Sequence, residues 1–247
     1  MASTFATPLV HDDGKHHLLL CASGSVATIK IPNITSALSD YPNLSIRLIL
    51  TASASHFLSG QSHEQPTLSS LFAMKHVDGI YQDAHEWTKP WVRGDKILHI
   101  ELRRWADLMV VAPLSANSMA KMVQGMSDNL LLSTIRAWDT TGELDAARSV
   151  TDYEAGPPLE GVSYGSNGKR KKVIVVAPAM NTAMWMHPVT AQHVKVLEED
   201  WGVKMGGWVE VLRPVEKELA CGDTGSGAMK EWKQIVGVIE ERLRLRG

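Results

Sequence analysis

Two apolar runs in the middle of the chain constrain its fold more than any other feature of the sequence. Residues 108–113 read LMVVAP and residues 173–178 read VIVVAP, and neither run alternates apolar with polar side chains. Continuous Val-rich runs are typical of strands that are buried on both faces, as in a parallel sheet. Residues 17–22 form a short apolar run and residues 44–50 are rich in Leu and Ile, and they predict two further strands of that sheet.

Helical patterns lie between and after these runs. They cover residues 115–124, 127–138, 187–199 and 229–243. Strands that alternate with helices are typical of an α/β protein with a doubly wound parallel sheet between two layers of helices. A chain of 247 residues is long enough to bury such a core in a single domain without disulfide or metal crosslinks.

Two segments fall outside the alternation of strands and helices. Residues 1–15 have no periodic pattern and predict a disordered lead, which leaves residues 16–245 as the domain. Residues 140–170 contain Gly, Pro and Ser with mixed charge, and we interpret them as a surface insertion.

Charge and cysteine content exclude several classes of function. The 25 basic and 27 acidic residues give a net charge of -2, which argues against general binding to nucleic acid or to a membrane surface. No apolar run approaches the ~18 residues of a membrane span, and the first 15 residues do not resemble a signal peptide. Two cysteines cannot by themselves form a disulfide framework or a zinc site. We therefore expect a soluble cytoplasmic protein without a structural metal.

Short polar clusters follow the four predicted strands, at residues 23–25, 51–53, 115–117 and 180–182. Ligands of open α/β sheets bind beyond the carboxyl ends of the strands, where these clusters would meet. Gly24 allows close approach of the backbone to a ligand, and the helix that follows favours an anion. Neither a Walker loop nor a G-x-G-x-x-G fingerprint is present. Each cluster alone is ordinary turn chemistry, but the four together predict a phosphate-bearing cofactor.

His99 and Cys221 are candidates for proton transfer. His99 lies in a polar, cationic segment, and histidine exchanges a proton near neutral pH. Cys221 lies in a glycine-rich segment that reads either as an ordinary turn or as a mobile flap over a site. Cys21 lies inside an apolar strand, where a packing role is expected.

Two other groups of side chains have two interpretations each. Met180, Met184 and Met186 are either core residues or an apolar wall for a ring-shaped ligand. Arg103 and Arg104 either form a solvated helix face or bind an anion.

Taken together, these motifs resemble those of the phosphopantothenoylcysteine decarboxylases, a family of homo-oligomeric flavin-containing cysteine decarboxylases. The resemblance covers most of residues 16–240. The segments that carry it are residues 99–107 (HIELRRWAD), 112–117 (APLSAN), 128–131 (DNLL), 136–139 (RAWD), 178–185 (PAMNTAMW), 219–223 (LACGD) and 227–229 (GAM).

The resemblance implies a flavodoxin-like, Rossmann-type subunit in a homotrimer, with FMN near the subunit interface. It implies that the residues holding FMN are Gly24, Ser25, Val26, Ser53, Phe57, Ser115, Ala116, Asn117 and Ala179. It also implies that His99 is the catalytic base, Cys221 the proton donor, and Asn181, Met184 and Arg104 the substrate contacts. In the family, His99 would face Asn181 and Cys221 of a neighbouring subunit.

The implied reaction converts 4′-phospho-N-pantothenoylcysteine to 4′-phosphopantetheine in coenzyme A biosynthesis. Loss of CO2 from a cysteine carboxylate leaves a carbanion that needs an electron sink. The amino group of the substrate is part of an amide, so it cannot form a Schiff base with pyridoxal phosphate. Oxidation of the thiol carbon to a thioaldehyde by the flavin provides the sink, CO2 loss gives an enethiol, and the reduced flavin returns the electrons.

Other functions have been described on related folds and stay open on the sequence. The chain could be an inhibitory subunit of a protein phosphatase, or one component of a hetero-oligomeric decarboxylase. The presence of His99, Asn181 and Cys221 in one chain favours a self-sufficient enzyme. A flavin prenyltransferase or a peptidyl-cysteine decarboxylase are further alternatives, because the fold alone does not decide the function.

Overall fold

The computed structural model describes residues 5–145, 162, 164–166, 170–218 and 224–245. The strands are Phe5–Ala6 (β1), His16–Ala22 (β2), Leu44–Leu50 (β3), Val77–Tyr81 (β4), Leu108–Leu114 (β5), Val173–Pro178 (β6), Val209–Val211 (β7), Val215–Glu218 (β8) and Thr224–Ala228 (β9). The α-helices are Ile31–Ala37 (α1), Ala52–Ser55 (α2), Leu68–Phe72 (α3), Leu98–Trp105 (α4), Ala116–Val123 (α5), Leu130–Arg136 (α6), Thr182–Met186 (α7), Pro188–Lys195 (α8) and Trp232–Leu243 (α9).

The main sheet has the strand order β1-β4-β3-β2-β5-β6-β7 within the described part of the chain. Strands β2 to β7 are parallel, and β1 adds antiparallel to β4 at one edge. The order of the six parallel strands reverses between β2 and β5. Such a reversal opens a crevice at the carboxyl ends of the two strands, where doubly wound proteins bind their ligands. The predicted doubly wound parallel sheet is confirmed.

Successive side chains of β2 pack against opposite helix layers. Leu18 and Leu20 belong to a core cluster that includes residues of α1 and α9. Leu19 and Cys21 belong to the cluster on the other face, with residues of α4, α5, α6 and α8. This arrangement explains why the strands lack a polar side, and it confirms that Cys21 is a core residue. Burial raises the pKa of its thiol far above the ordinary value.

The N-terminal lead differs from its predicted disorder over residues 5–8. Phe5–Ala6 pairs with β4, and the guanidinium of Arg47 in β3 donates to the carbonyl oxygens of Thr7 and Pro8 at 3.1 and 2.8 Å. Arg47 is buried, so its guanidinium needs acceptors from the protein in place of water, and these two carbonyls provide them.

Asp139 organises the first turn after α6, at the start of the predicted insertion. Its carboxylate accepts backbone N–H groups of Gly142, Leu144 and Asp145 at 2.9–3.0 Å. Burial alone would raise the pKa of Asp139, but these bonds and one from the Thr141 hydroxyl lower it to about 2. The remainder of the predicted insertion lies mostly outside the described residues.

Asp139→Asn should lower the free energy of unfolding by about 1–2 kcal/mol at pH 7, because the ionised group binds its donors more strongly. The unfolded pKa is about 3.9 and the folded pKa is lower, so this stabilisation is complete above pH ~4 and is lost as the pH falls towards 2. Urea unfolding at pH 7 and pH ~3 measures both effects. Asp200→Asn, at an exposed carboxylate, is the matched control and should change stability little. A wild-type–variant difference that does not shrink at low pH would contradict this assignment.

None of the helices in the described part of the chain is both long and apolar enough to cross a lipid bilayer.

Candidate active site

Each of the four predicted polar clusters supplies an N-cap at the carboxyl end of a parallel strand. The caps follow β2, β3, β5 and β6, and each side-chain oxygen accepts a backbone N–H of the helical turn that it starts. The pairs are Ser25 with Ala27 (3.4 Å), Thr51 with Ala54 (3.2 Å), Ser115 with Ser118 (3.2 Å) and Asn181 with Met184 (2.8 Å). The polar residues that follow the strands therefore start the next helical turns, because Ser, Thr and Asn satisfy N–H groups that have no partner within the helix.

Ser23 joins the two central strands at the point where the strand order reverses. Its hydroxyl donates to the carbonyl oxygen of Pro113 at 3.1 Å and accepts the N–H of Ser115 at 2.7 Å. The side chain is fully buried. These bonds fix the two turns that follow β2 and β5 relative to each other.

A cavity of about 870 Å³ opens at this edge of the sheet. Its lining includes all nine residues that the sequence predicts to hold a cofactor, and also Asn181 and Met184. The structure thus brings together eleven of the predicted site residues. His99 and Arg104 are not part of this lining within one chain, and Cys221 lies outside the described residues.

Gly24 is required by the shape of the cavity. A Cβ atom at this position would lie 2.5 Å from the Cβ of Ser53, which is closer than two non-bonded carbon atoms can approach. The turns after β2 and β3 therefore touch at Gly24, and both backbones are exposed to the same space. Such a cradle, with several backbone N–H groups at helix starts, suits an anionic group.

The apolar part of the cavity lies towards β6 and α7. Ala179, Met180 and Met184 contribute to it, and Phe57 comes from the segment after α2. Met180 is buried whereas Met184 is half exposed. Of the two interpretations of these methionines, Met180 is a core residue that also lines the cavity and Met184 is part of an apolar wall.

Neither interpretation of the glycine-rich segment, an ordinary turn or a mobile flap, holds for residues 224–228. Gly225 and Gly227 belong to strand β9, which pairs antiparallel with β8. A Cβ on Gly225 would lie 2.1 Å from Thr182 Oγ1, and one on Gly227 would lie 2.4 Å from the Met180 carbonyl oxygen. These glycines allow the hairpin to pack against the start of α7, and this close packing explains their presence. Residues 219–223, including Cys221, lie outside the described part.

His99 lies on α4 and contacts a carboxylate that the sequence analysis did not single out. The Nδ1 atom of His99 is 2.7 Å from Oε1 of Glu86. The two side chains are 22% and 7% exposed, so the pair is largely shielded from water.

Arg103 and Arg104 have different environments although they are neighbours. Arg104 is half exposed and its Nη1 donates to Glu101 at 3.3 Å, as expected for a solvated helix face. Arg103 is buried, donates to the carbonyl oxygen of Ala137 at 3.1 Å and pairs with Asp145 at 3.3 Å. Arg103 therefore stabilises the end of α6, and Arg104 has a guanidinium that a ligand can reach.

Several polar residues of the cavity were not predicted from the sequence. They are Lys30, Asp83, Lys121, Asn129, Lys230 and Glu231. Asp83 follows β4, a strand that the apolar pattern did not predict, and its carboxylate accepts the N–H of Leu130 at 3.0 Å. Asn129 is the N-cap of α6 and lies in the DNLL segment, which was a usable signal.

Known proteins resemble this chain in sequence along most of its length. The profile of the family described as Flavoprotein matches residues 7–244. Phosphopantothenoylcysteine decarboxylase of Mus musculus is 38% identical over 96% of this chain and 91% of its own length. The probable thymidylate synthase of Schizosaccharomyces pombe is also 38% identical over 94% of this chain, but the chain spans only 30% of that protein.

Two solved structures show the same architecture. A cysteine-to-serine mutant of PPC decarboxylase, complexed with pantothenoylaminoethenethiol, is 37% identical, with a TM-score of 0.67 over 92% of this chain and 97% of its own. The FMN binding protein AtHal3 is 35% identical, with a TM-score of 0.63 over 94% of this chain and 99% of its own.

Proposed function

The chain belongs to the flavoprotein family, and we propose that it uses FMN to decarboxylate 4′-phospho-N-pantothenoylcysteine to 4′-phosphopantetheine, a step of coenzyme A biosynthesis. One observation supports this function above the others. A single cavity at the reversal of strand order contains the residues expected to hold the flavin and also Asn181, the expected contact of the substrate carboxylate.

The cavity fits FMN at both ends of the cofactor. The cradle at Gly24 and Ser25 offers backbone N–H groups and no side-chain bulk to a phosphate. Phe57, Met180 and Met184 offer an apolar surface to the ring system. The volume of about 870 Å³ leaves room for a substrate beside a cofactor.

Gly24→Ala should weaken FMN binding by about 10–100-fold, because the added methyl group must displace Ser53 from the cradle. Titration of the apoprotein with FMN, followed by quenching of flavin fluorescence, measures the affinity. Gly237→Ala is the matched control, since a Cβ there meets nothing within 4 Å and should leave FMN binding unchanged. Equal FMN affinities for the Gly24 variant and the wild type would contradict this placement of the phosphate.

The side chains have separate tasks in the reaction. When bound, FMN supplies a reversible two-electron acceptor for the carbon that bears the thiol. Asn181 Oδ1 is used in capping α7, which directs its amide group as a donor for the substrate carboxylate. His99 accepts a proton during oxidation of the thiol carbon, and Cys221 returns a proton to the enethiol after CO2 has left.

We further propose that the active unit is a homotrimer in which His99 faces Asn181 and Cys221 of a neighbouring subunit. The absence of His99 from the cavity lining of one chain supports this arrangement. Large apolar side chains are exposed near both groups: Trp87, Trp91 and Val92 precede α4, and Met184 and Met186 belong to α7. Two different apolar surfaces on each subunit are what a closed ring with head-to-tail contacts requires.

Release of CO2 by the purified chain alone tests the proposed function. The substrate carries an isotopic label in its carboxyl group, and the released label is measured. Labelled CO2 with bound FMN supports a self-sufficient enzyme, for which we propose a cytoplasmic location because coenzyme A synthesis is expected there. Release only after addition of a second subunit, or no release at all, would overturn the proposal and favour a hetero-oligomeric enzyme or a phosphatase-regulating subunit.

A further inference from the structure

We propose that Glu86 is a positioning residue for His99, which it holds with the proton on Nδ1 and with Nε2 free to accept a proton. This inference rests on the proposed function of His99 as the base. It assigns a role to a carboxylate that neither the sequence motifs nor the cavity lining identifies.

The contact geometry determines which ring nitrogen carries the proton. Glu86 Oε1 lies 2.7 Å from His99 Nδ1. An ionised carboxylate only accepts hydrogen bonds, so Nδ1 must be the donor. A neutral imidazole has one N–H group, and its proton on Nδ1 leaves a lone pair on Nε2. The negative charge of Glu86 also stabilises the imidazolium that forms when Nε2 takes up a proton.

Glu86 is held in place by the turn that follows β4. The N–H of Glu86 donates to the carbonyl oxygen of Asp83 at 3.1 Å. The N–H of Gln82 donates to His85 Nδ1 at 2.8 Å, and the Gln82 side chain donates to Ser55 Oγ, also at 2.8 Å.

The same turn connects Glu86 to the cavity. Asp83 lines the cavity and accepts the N–H of Leu130, which starts α6. Ser55 ends α2, whose start carries the cavity residue Ser53. Residues 82–86 are therefore tied both to the elements that form the cavity and to the ring of His99.

The second oxygen of the carboxylate argues against a purely structural role. Glu86 Oε2 is buried, and among the described residues it has no hydrogen-bond partner. A buried carboxylate oxygen without a partner costs folding free energy, which an uncharged side chain would avoid. A buried carboxylate with an unpaired oxygen is typical of a functional site, where the charge is needed for activity. The side chain that the Glu86 carboxylate contacts is His99.

Three variants test the assignment, each loaded with FMN and measured as the intact oligomer. Glu86→Ala should lower kcat by about 10–100-fold with little change in KM or FMN content, the size of effect found for carboxylates that orient metal-binding histidines. Glu86→Gln keeps an oxygen acceptor but loses the charge, and should recover part of this loss. Glu210→Gln is the matched control, because the Glu210 carboxylate also accepts from a side-chain nitrogen at 2.7 Å, Nε of Arg242 in α9, but lies on β7.

The protonation of His99 provides a second readout that does not depend on activity. In ¹⁵N spectra of protein labelled at the histidine rings, the signals of His99 are identified by their loss in His99→Asn. The inference predicts a protonated Nδ1 and an unprotonated Nε2 in the wild type, and a shift of the proton towards Nε2 in Glu86→Ala.

Two results would overturn the inference. One is an unchanged proton position and a kcat within twofold of the wild type in Glu86→Ala. The other is an equal loss of kcat in Glu86→Ala and Glu210→Gln in parallel with lower stability. If Glu86→Ala does not fold, Glu86→Gln decides by kcat, because its amide oxygen still accepts from Nδ1 and only the charge is lost; a kcat equal to that of the wild type then overturns the inference. A wild type that releases no CO2 would refute the proposed function, whereas the ring protonation would still test the role of Glu86.

Discussion

Replacement of His99 with asparagine should slow the release of CO2 by about 10²–10⁴-fold, because the oxidation of the thiol carbon loses its proton acceptor. Asparagine has a similar size and keeps a polar group next to Glu86, so the effect should be chemical. Stopped-flow absorbance of the flavin should show slow bleaching after mixing with substrate, since oxidation of the substrate is the step that becomes rate-limiting.

Cys221→Ser should have a different effect and is the informative control for His99→Asn. The serine variant still oxidises the substrate and releases CO2, but it accumulates the enethiol because the proton for the last step is missing. Equal loss of CO2 release in both variants would contradict the separate roles of His99 and Cys221. Accumulation of the enethiol by the His99 variant would contradict them as well.

Two inactive variants should restore activity when they assemble together. Asn181→Asp keeps the oxygen that caps α7 but replaces the amide donor with a second carboxylate oxygen, which repels the carboxylate of the substrate. Alone, Asn181→Asp and His99→Asn should each lose nearly all activity. In randomly mixed trimers, about a quarter of the sites combine an intact His99 from one subunit with an intact Asn181 from its neighbour. Co-expression in equal amounts should therefore recover about a quarter of the wild-type rate.

The controls for this experiment use the same expected site. His99→Asn mixed with Cys221→Ser should also recover activity, measured as formation of the saturated product 4′-phosphopantetheine, because the two residues belong to different subunits of each site. Asn181→Asp mixed with Cys221→Ser should not recover it, because Asn181 and Cys221 come from the same subunit. No recovery in any mixture would show that one chain supplies the whole site and would refute the shared arrangement.

The sequence was sufficient for the features that depend on local patterns. The apolar runs predicted the four central strands because residues buried on both faces of a sheet are mostly apolar. Ser25, Thr51, Ser115 and Asn181 could be placed at the edge of the sheet because polar residues after such strands start the next helix.

The features that the sequence did not reveal depend on contacts between distant residues. In β4, Asp78 and Gly79 interrupt the apolar pattern, but Asp78 accepts a hydrogen bond from Ser45 at 2.5 Å. At Gly79, a Cβ would lie 2.9 Å from the guanidinium of Arg47. Arg47 is a single charged residue in a buried strand, and such a residue indicates that another segment supplies hydrogen-bond acceptors. That segment is the N-terminal lead, through Pro8.

In the candidate site, too, some features follow from local sequence patterns and others depend on contacts between distant residues. Its cavity is built from strand ends, so the residues that line it could be grouped from the sequence and the family resemblance. Glu86 and His99 meet across a turn and an irregular segment, and no spacing rule predicts such a contact. The approach of one subunit to another depends on surface shape, which a one-dimensional pattern does not contain.

The central claim is that this chain carries out a decarboxylation in which the electrons return to the product. We would incubate the purified FMN-loaded protein with 4′-phospho-N-pantothenoylcysteine under anaerobic conditions, without an added oxidant or reductant, and follow the substrate mass and the flavin absorbance. The account predicts many turnovers to a product that has lost only CO2, the saturated thiol 4′-phosphopantetheine, with the flavin oxidised at the end. An unchanged substrate, or a single turnover that stops with reduced flavin and an oxidised product, would contradict it.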